Sequence, residues 1–278
     1  MTLPSGPDER GTAPPGRRLL TLADRREHGA YVVLAAPDPG GPEPQPGQFY
    51  MLAAAERWGG GQDERPYLPR AFSVLRVGAD GLEFMLERVG PGTERLCELR
   101  AGDGLWVTGP LGQGFTAPAD ERRAILCGGG VGTAPLAILH DALRALERPA
   151  PVVLGFRDAA HAAGAQLLPG ALVATDDGSA GHHGLVTDLL ADELDQGEHA
   201  VVYACGPPPM LEAVRAMCAE RGVPAQLALE AGMACGFGAC FGCVVPLADG
   251  SYARVCVDGP VIAGERLDTC LVAGHGAG

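Results

Sequence analysis

The densest chemistry in the sequence is a run of thiols. Cys235, Cys240 and Cys243 lie within nine residues and Cys256 follows, in the spacing C-x4-C-x2-C-x12-C. A loop this short cannot point three thiols apart, so they converge on one object. The x4–x2 step opens the plant-type [2Fe–2S] ligand pattern. Gly236, Gly238 and Gly242 suit that reading, because a loop wrapped around sulfur takes positive φ and turns backbone N–H groups inward. The competing reading is a four-cysteine zinc site. Such sites usually use two cysteine knuckles set well apart, whereas here three ligands share one loop and the fourth stands alone. Cys97, Cys127, Cys218 and Cys270 lack such company and read as small buried hydrophobes.

Two glycine-marked turns form a second constellation. After the apolar run 124–127 comes Gly-Gly-Gly130-Val-Gly132-Thr133-Ala-Pro135, leading into a helical pattern. Glycine lets a phosphate approach the backbone, and a helix start offers unpaired N–H groups to its charge. Pro135 suits a first helical turn. The alternative is a tight strand-to-helix turn with no ligand. A second such strand end is Cys205-Gly206-Pro207. Ligands of open α/β sheets bind at the carboxyl ends of strands, so two turns in one sheet point to a dinucleotide. Arg157 and Asp158 end the intervening strand with opposite signals: arginine for a 2′-phosphate, aspartate for a 2′-hydroxyl. A third constellation is Arg70-Ala71-Phe72-Ser73, followed by Leu86-Glu87-Arg88, by Gly92-Thr93 and by Gly109-Pro110-Leu111-Gly112-Gln113-Gly114-Phe115. Arginine on a strand usually lies on a solvated surface; here it could instead present a phosphate ligand.

The elements that must position these groups follow from hydrophobic patterning. Short β-like runs at 31–34, 48–52, 71–75, 82–86 and 104–107, broken by turn residues, predict a small antiparallel barrel over 17–118. Residues 55–66 read as an exposed loop within it. From 119 to 225 the texture becomes strand–helix alternation. Strands are expected at 124–127, 152–156, 172–175 and 201–204, with helices at 135–146, 186–194 and 209–220, so a parallel sheet covered on both faces is expected. Residues 226–278 form a cysteine- and glycine-rich segment, and 1–16 a disordered tail. The tail has no apolar core and is not read as a signal peptide.

Composition closes off other chemistries. All 21 cationic residues are arginine, and the absence of lysine excludes a Schiff-base mechanism and a Gly-Lys-Ser/Thr phosphate loop. A net charge of −13 argues against nucleic acid or an anionic membrane as partner. The longest nearly apolar stretch, 124–139, is broken by four glycines and a proline, and is too short to span a bilayer. The expected location is the cytoplasm, where nine cysteines stay free, catalytic or metal-binding. His140, His182 and His183 are acid–base candidates by residue type alone, and surface or structural roles suit them better.

Taken in order, R-x-F-S, G-T, G-P-L-G-x-G-F, G-G-G-x-G-x-A-P-L, C-G-P and the patterned cysteines resemble the ferredoxin-reductase-like flavoproteins, most of all the electron-transfer subunits of NAD-dependent dihydroorotate dehydrogenases. The resemblance covers residues 17–265. It implies a multidomain β and α/β fold: an antiparallel FAD-binding β-barrel, a Rossmann-like NAD-binding domain and a C-terminal [2Fe–2S] segment. It implies that Arg70 pairs with the FAD pyrophosphate, and that Ala71, Phe72 and Ser73 lie along the flavin strand with the last two facing the isoalloxazine. Leu86, Glu87 and Arg88 would line FAD, and Gly92 and Thr93 would give it N–H and hydroxyl donors. Gly130, Gly132, Thr133, Cys205 and Gly206 would hold NAD(H), and Cys235, Cys240, Cys243 and Cys256 the cluster. The implied activity moves electrons between NAD(H), FAD and the cluster to an FMN-containing dihydroorotate dehydrogenase catalytic subunit, in a heterotetramer with two of each chain. Related subunits serve a sulfide dehydrogenase, a hydrogenase or a ferredoxin:NADP oxidoreductase, and the shared motifs fit those acceptors too. Ala71 stands where the family often has proline. Glu230 and Met233 match the lead-in to the first cysteine, while Ala231 and Gly232 replace residues that are usually charged.

Overall fold

The computed structural model describes residues 16–59, 66–118, 120–197 and 199–271. The expected tail, apart from Gly16, and residues 60–65 of the expected loop lie outside the described residues. The first unit contains β1 (Arg17–Thr21), β2 (Asp24–His28), β3 (Tyr31–Ala36), β4 (Phe49–Ala54), β5 (Arg70–Gly78), β6 (Gly81–Glu87), α1 (Pro91–Cys97) and β7 (Gly104–Leu111). Its strands form one antiparallel ladder in the order β1-β7-β4-β5-β6-β3-β2. The two edge strands are consecutive in the chain, joined only by Leu22 and Ala23. Leu22 N–H donates to Asp103 O and Ala23 N–H to Ala35 O, each at 2.9 Å. That link draws the two ends together and rolls the sheet into a barrel.

The pleat sorts the barrel side chains into two sets. Val32, Leu34, Tyr50, Leu52, Phe84 and Leu86 fill the interior. Val33, Leu75 and Met85 face outward, against the second unit. The short α1 adds Leu96 and Cys97 to the barrel core.

The second unit runs β8 (Arg123–Gly129), α2 (Thr133–Ala145), β9 (Val152–Phe156), α3 (Ala159–Ala162), β10 (Leu172–Thr175), β11 (His182–His183), α4 (Val186–Leu194), β12 (Ala200–Cys205), α5 (Pro208–Glu220) and β13 (Ala225–Ala228). The C-terminal segment adds the hairpin β14 (Val244–Pro246) and β15 (Tyr252–Arg254), then β16 (Val261–Ala263). The large sheet has the order β11-β10-β9-β8-β12-β13-β16 and is parallel except for β16, which pairs antiparallel with β13. The sheet is therefore mixed, because the cysteine-bearing segment returns to lay its last strand on the edge. The division expected after residue 225 falls inside β13.

Alternate strand residues face the two layers. Ala124 and Leu126 pack toward α2, while Ile125 and Cys127 pack toward α4 and α5. The same two cores also take barrel residues. Phe49, Met51 and Leu111 share a core with Cys243 and Cys256, and Tyr31 and Met85 share one with α2. The outer face of the barrel is thus buried as core. Arg76 Nε donates to Asp141 Oδ2 at 2.6 Å across the same boundary. Among the described residues no helix is long and apolar enough to cross a membrane.

Candidate functional site

Strand β5 carries the arginine motif to the boundary between the units. Its register pairs Leu52 with Arg70 and Phe49 with Ser73. Arg70 Nη1 donates to Leu68 O at 2.5 Å, and the guanidinium lies 5.9 Å from the Trp58 ring centroid. Directly beneath it is Gly92, where a Cβ would stand 2.6 Å from Arg70 Nε. The missing side chain leaves Arg70 lying against the first turn of α1, whose leading N–H groups have no intrahelical acceptors. Thr93 Oγ1 accepts from Val89 and Gly90 N–H and donates to Gly90 O at 3.0 Å. The hydroxyl therefore closes the turn, and the backbone N–H groups are the donors left to an incoming phosphate.

Next to this cradle is a cavity of about 210 Å³ between the barrel, the second sheet and the start of the C-terminal segment. Ala71, Phe72, Ser73, Cys205 and Glu230 line it, together with Met85. Leu86 does not: it points into the barrel, and its neighbour Met85 takes the cavity side. Glu87 and Arg88 diverge as well. Glu87 faces a different cleft, and Arg88 is exposed and stands 3.6 Å from Glu27. Cys205 is buried, and burial pushes its thiol well up, so it stays neutral.

Glu230 is the unusual group in this cavity. Burial, with a smaller contribution from the Glu87 charge, pushes its carboxyl up from 4.5 to about 7. In acid both folded and unfolded chains hold the proton and no penalty arises. Between about pH 4.5 and 7 the unfolded chain releases it while the folded chain keeps it, so stability falls across that window and stays low above it. Relative to Glu230→Gln, the native protein is expected to lose about 3 kcal/mol between pH 4.5 and pH 8. Urea unfolding of both proteins across that range checks this, and parallel profiles would contradict it.

The two glycine turns meet at the ends of β8 and β12. A Cβ on Gly132 would lie 2.2 Å from Cys205 O, and one on Gly206 would lie 2.7 Å from Met210 Cε and 3.0 Å from Gly129 N. Gly130 takes φ +54. Thr133 is fully buried and its hydroxyl donates to Gly130 O at 2.9 Å, so it braces the turn from inside. Above the turns opens a cleft of about 400 Å³, lined by Gly129, Gly130, Arg157, Asp176 and Met210, and by Tyr31 and Glu87 from the barrel. The Tyr31 hydroxyl is buried without a hydrogen-bond partner among the described residues, and a Cβ on Gly130 would stand 3.8 Å from it. An unpaired hydroxyl beside a glycine turn suits a polar ligand. Tyr31 was not legible at this cleft, because it reaches it only through contact between the two units; His161 reaches it from α3 of the second unit itself, beside Arg157. His140 and His182 pair with their neighbours Asp141 and Asp188, and His183 is exposed.

The cysteine loop packs against β4. A Cβ on Gly236 would lie 2.6 Å from Met51 Cγ, and Gly236 and Gly238 take φ +79 and +85. Cys243 and Cys256 are buried with their sulfurs 3.2 Å apart; Cys235 is half-buried and Cys240 exposed. Partial burial opposes ionisation of Cys235, but hydrogen bonds from the backbone N–H groups of Phe237, Cys240 and Ala239 and from the Cys240 thiol outweigh it, holding Cys235 at about 6. Inward N–H groups and a thiol poised to ionise are what a sulfur-ligated metal cluster requires.

Comparison with known proteins agrees with this geometry. Residues 230–268 match the iron-sulfur cluster binding domain of dihydroorotate dehydrogenase B, which decides against the zinc reading. The solved structure of an NADH-dependent reduced ferredoxin-NADP oxidoreductase superposes with a TM-score of 0.74 at 27% identity, covering 93% of this chain and 91% of that one. The dihydroorotate dehydrogenase B (NAD(+)) electron transfer subunit of Caldanaerobacter subterraneus subsp. tengcongensis is 36% identical, over 82% of this chain and 88% of that protein. The subunit of the same name from Geobacillus kaustophilus is 40% identical, over 80% and 86%. Sharing this fold and this extent of sequence, the chain belongs to the family of dihydroorotate dehydrogenase B electron transfer subunits, oxidoreductases of the flavin and iron–sulfur type.

Proposed function

We propose that this chain carries electrons between NAD(H) and an FMN-containing dihydroorotate dehydrogenase catalytic chain in pyrimidine biosynthesis, as a cytoplasmic heterotetramer of two chains of each kind. One observation carries the reading. Glu230, Ala231 and Met233 line the 210 Å³ cavity, and Cys235 begins the thiol loop immediately after them. The chain therefore runs directly from the flavin cavity to the cluster loop.

In this reading Arg70 and the α1 N–H groups hold the FAD pyrophosphate, and Ala71, Phe72 and Ser73 edge the ring site. Cys235, Cys240, Cys243 and Cys256 hold the cluster, and the paired glycine turns hold the dinucleotide. When bound, FAD links two-electron to one-electron transfer and the cluster conducts single electrons. The chain's own part is placement. The apolar walls of Phe49, Met85, Val131 and Leu229 keep water from the ring site. Neutral Cys205 adds no charge there, and Glu230 can hold a proton near neutral pH. Phe237, Phe241 and Tyr252 stand 53%, 61% and 70% exposed on the thiol-bearing segment. Exposed aromatic groups of this kind suit a protein partner docking there.

The likeness to the ferredoxin-NADP oxidoreductase supports a second reading, in which the acceptor is a ferredoxin. Mixing the purified chain with an FMN-containing catalytic chain decides between them. A stable complex that reduces NAD+ with dihydroorotate supports the first reading. No complex, together with NADH-driven reduction of a ferredoxin, supports the second.

A further inference from the structure

At the end of β9, Arg157 and Asp158 advertise opposite dinucleotide preferences, and the fold commits both side chains elsewhere. Asp158 caps α3: its Oδ1 accepts from His161 N–H at 3.0 Å and lies 2.7 Å from His161 Nδ1. Arg157 reaches out of its own unit. Its Nη2 donates to Glu87 Oε1, at the end of β6 on the barrel, while its Nε stands 2.9 Å from His161 Nε2. His161 Nε2 lies 3.3 Å from the same Glu87 oxygen. Glu87, Arg157, His161 and Asp176 all line the 400 Å³ cleft beside Gly130.

We propose that Glu87 sets the dinucleotide choice of this cleft by holding the Arg157 guanidinium, so that the cleft accepts a 2′-hydroxyl and refuses a 2′-phosphate; this rests on the dinucleotide-binding part of the proposed function. A 2′-phosphate carries nearly two negative charges and is best met by a free arginine fork. Here it would have to take Arg157 from Glu87, leaving that carboxylate beside it with His161 Nε2 as its remaining neighbour. Asp176 adds a second carboxylate to the lining of the same cleft, while Arg157 is the cleft's one guanidinium among the described residues. A ribose hydroxyl meets no such opposition, and the Asp176 carboxylate is available to accept from it. The selecting residue thus lies on the barrel, across the cleft from the strand end where specificity is usually read.

Calorimetric titration of NAD+ and NADP+ into the cofactor-loaded chain tests this. Glu87→Gln removes the charge and keeps the shape, and Glu87→Ala releases Arg157 from the barrel. Each is expected to raise NADP+ affinity relative to NAD+ by about tenfold, the worth of one charge-assisted hydrogen bond. The double variant Glu87→Ala/Arg157→Ala is expected to lose that gain. An unchanged ratio in both single variants would overturn the assignment, as would a gain that survives removal of Arg157. Binding is read without turnover. Failure here would therefore leave NAD+ affinity intact, whereas failure of the proposed function would appear as absent NAD+ binding or absent electron delivery.

Discussion

Replacing Cys256 with serine is expected to lower cluster occupancy by at least about a hundredfold while leaving flavin content within about twofold of native. Cys256 is 2% exposed and its sulfur lies 3.2 Å from that of Cys243. Its N–H donates to Cys243 Sγ at 3.4 Å, and the neighbouring Val255 N–H donates to Cys243 O at 2.9 Å. Backbone bonds thus hold the two thiols side by side. Burial, together with the neighbouring Cys243, pushes the Cys256 thiol up to about 12. A buried thiol pair of this kind ionises only when a metal takes up the charge. Serine offers a harder oxygen donor that iron–sulfur clusters bind poorly. Cys256 does not line the cavity proposed for the flavin, so FAD retention is expected to survive. Iron and acid-labile sulfide assays, the visible spectrum and the reduced-state EPR signal check this. Native iron content in the variant would remove Cys256 from the ligand set.

The sequence revealed chemistry wherever one segment alone carries it. The cysteine spacing, the glycine turns and four strands of the second unit were readable because each is a local pattern, and β9, β10 and α4 fall where periodicity puts them, whereas the short β11 and β13 were not read. The edge strands β1 and β2 were not. β2 reads Asp-Arg-Arg-Glu-His, a charged run that looks like a loop but suits a sheet edge, where charge discourages further pairing. The pleat turns the Leu86 side chain away from the cavity. Successive strand residues face opposite sides, so Met85 rather than Leu86 reaches the cavity. Glu87 and Tyr31 reach the cleft only where barrel meets sheet. Glu87 is 70 residues from Arg157 in the chain, a pairing no periodicity reports.

The same contrast between local and long-range cause makes Gly132→Ala a strongly damaging small substitution at the paired glycine turns. Gly132 has φ −61 and ψ −11, an ordinary helical conformation, so alanine would suffer no backbone strain. Helix propensity would even favour it. The obstacle is space. The added Cβ would stand 2.2 Å from Cys205 O, 2.5 Å from Cys205 C and 2.8 Å from Gly206 N. All three are backbone atoms at the end of β12, and Cys205 is held in the ladder on both sides, by Gly128 and by Ala228. Neither turn can yield without breaking sheet hydrogen bonds. The expected cost is about 3 kcal/mol, or a fall of roughly 6–12 °C in Tm for a chain of this size. Separating the turns also opens the floor of the cleft proposed for the dinucleotide, so NAD+ affinity is expected to fall in the fraction that folds. Gly130→Ala is the informative control. Its φ of +54 disfavours alanine by about 1 kcal/mol, but the nearest atom to its Cβ is Tyr31 Oη at 3.8 Å. If thermal melts rank Gly130→Ala as the more damaging of the two, backbone conformation rather than close approach is the reason these turns are built from glycine.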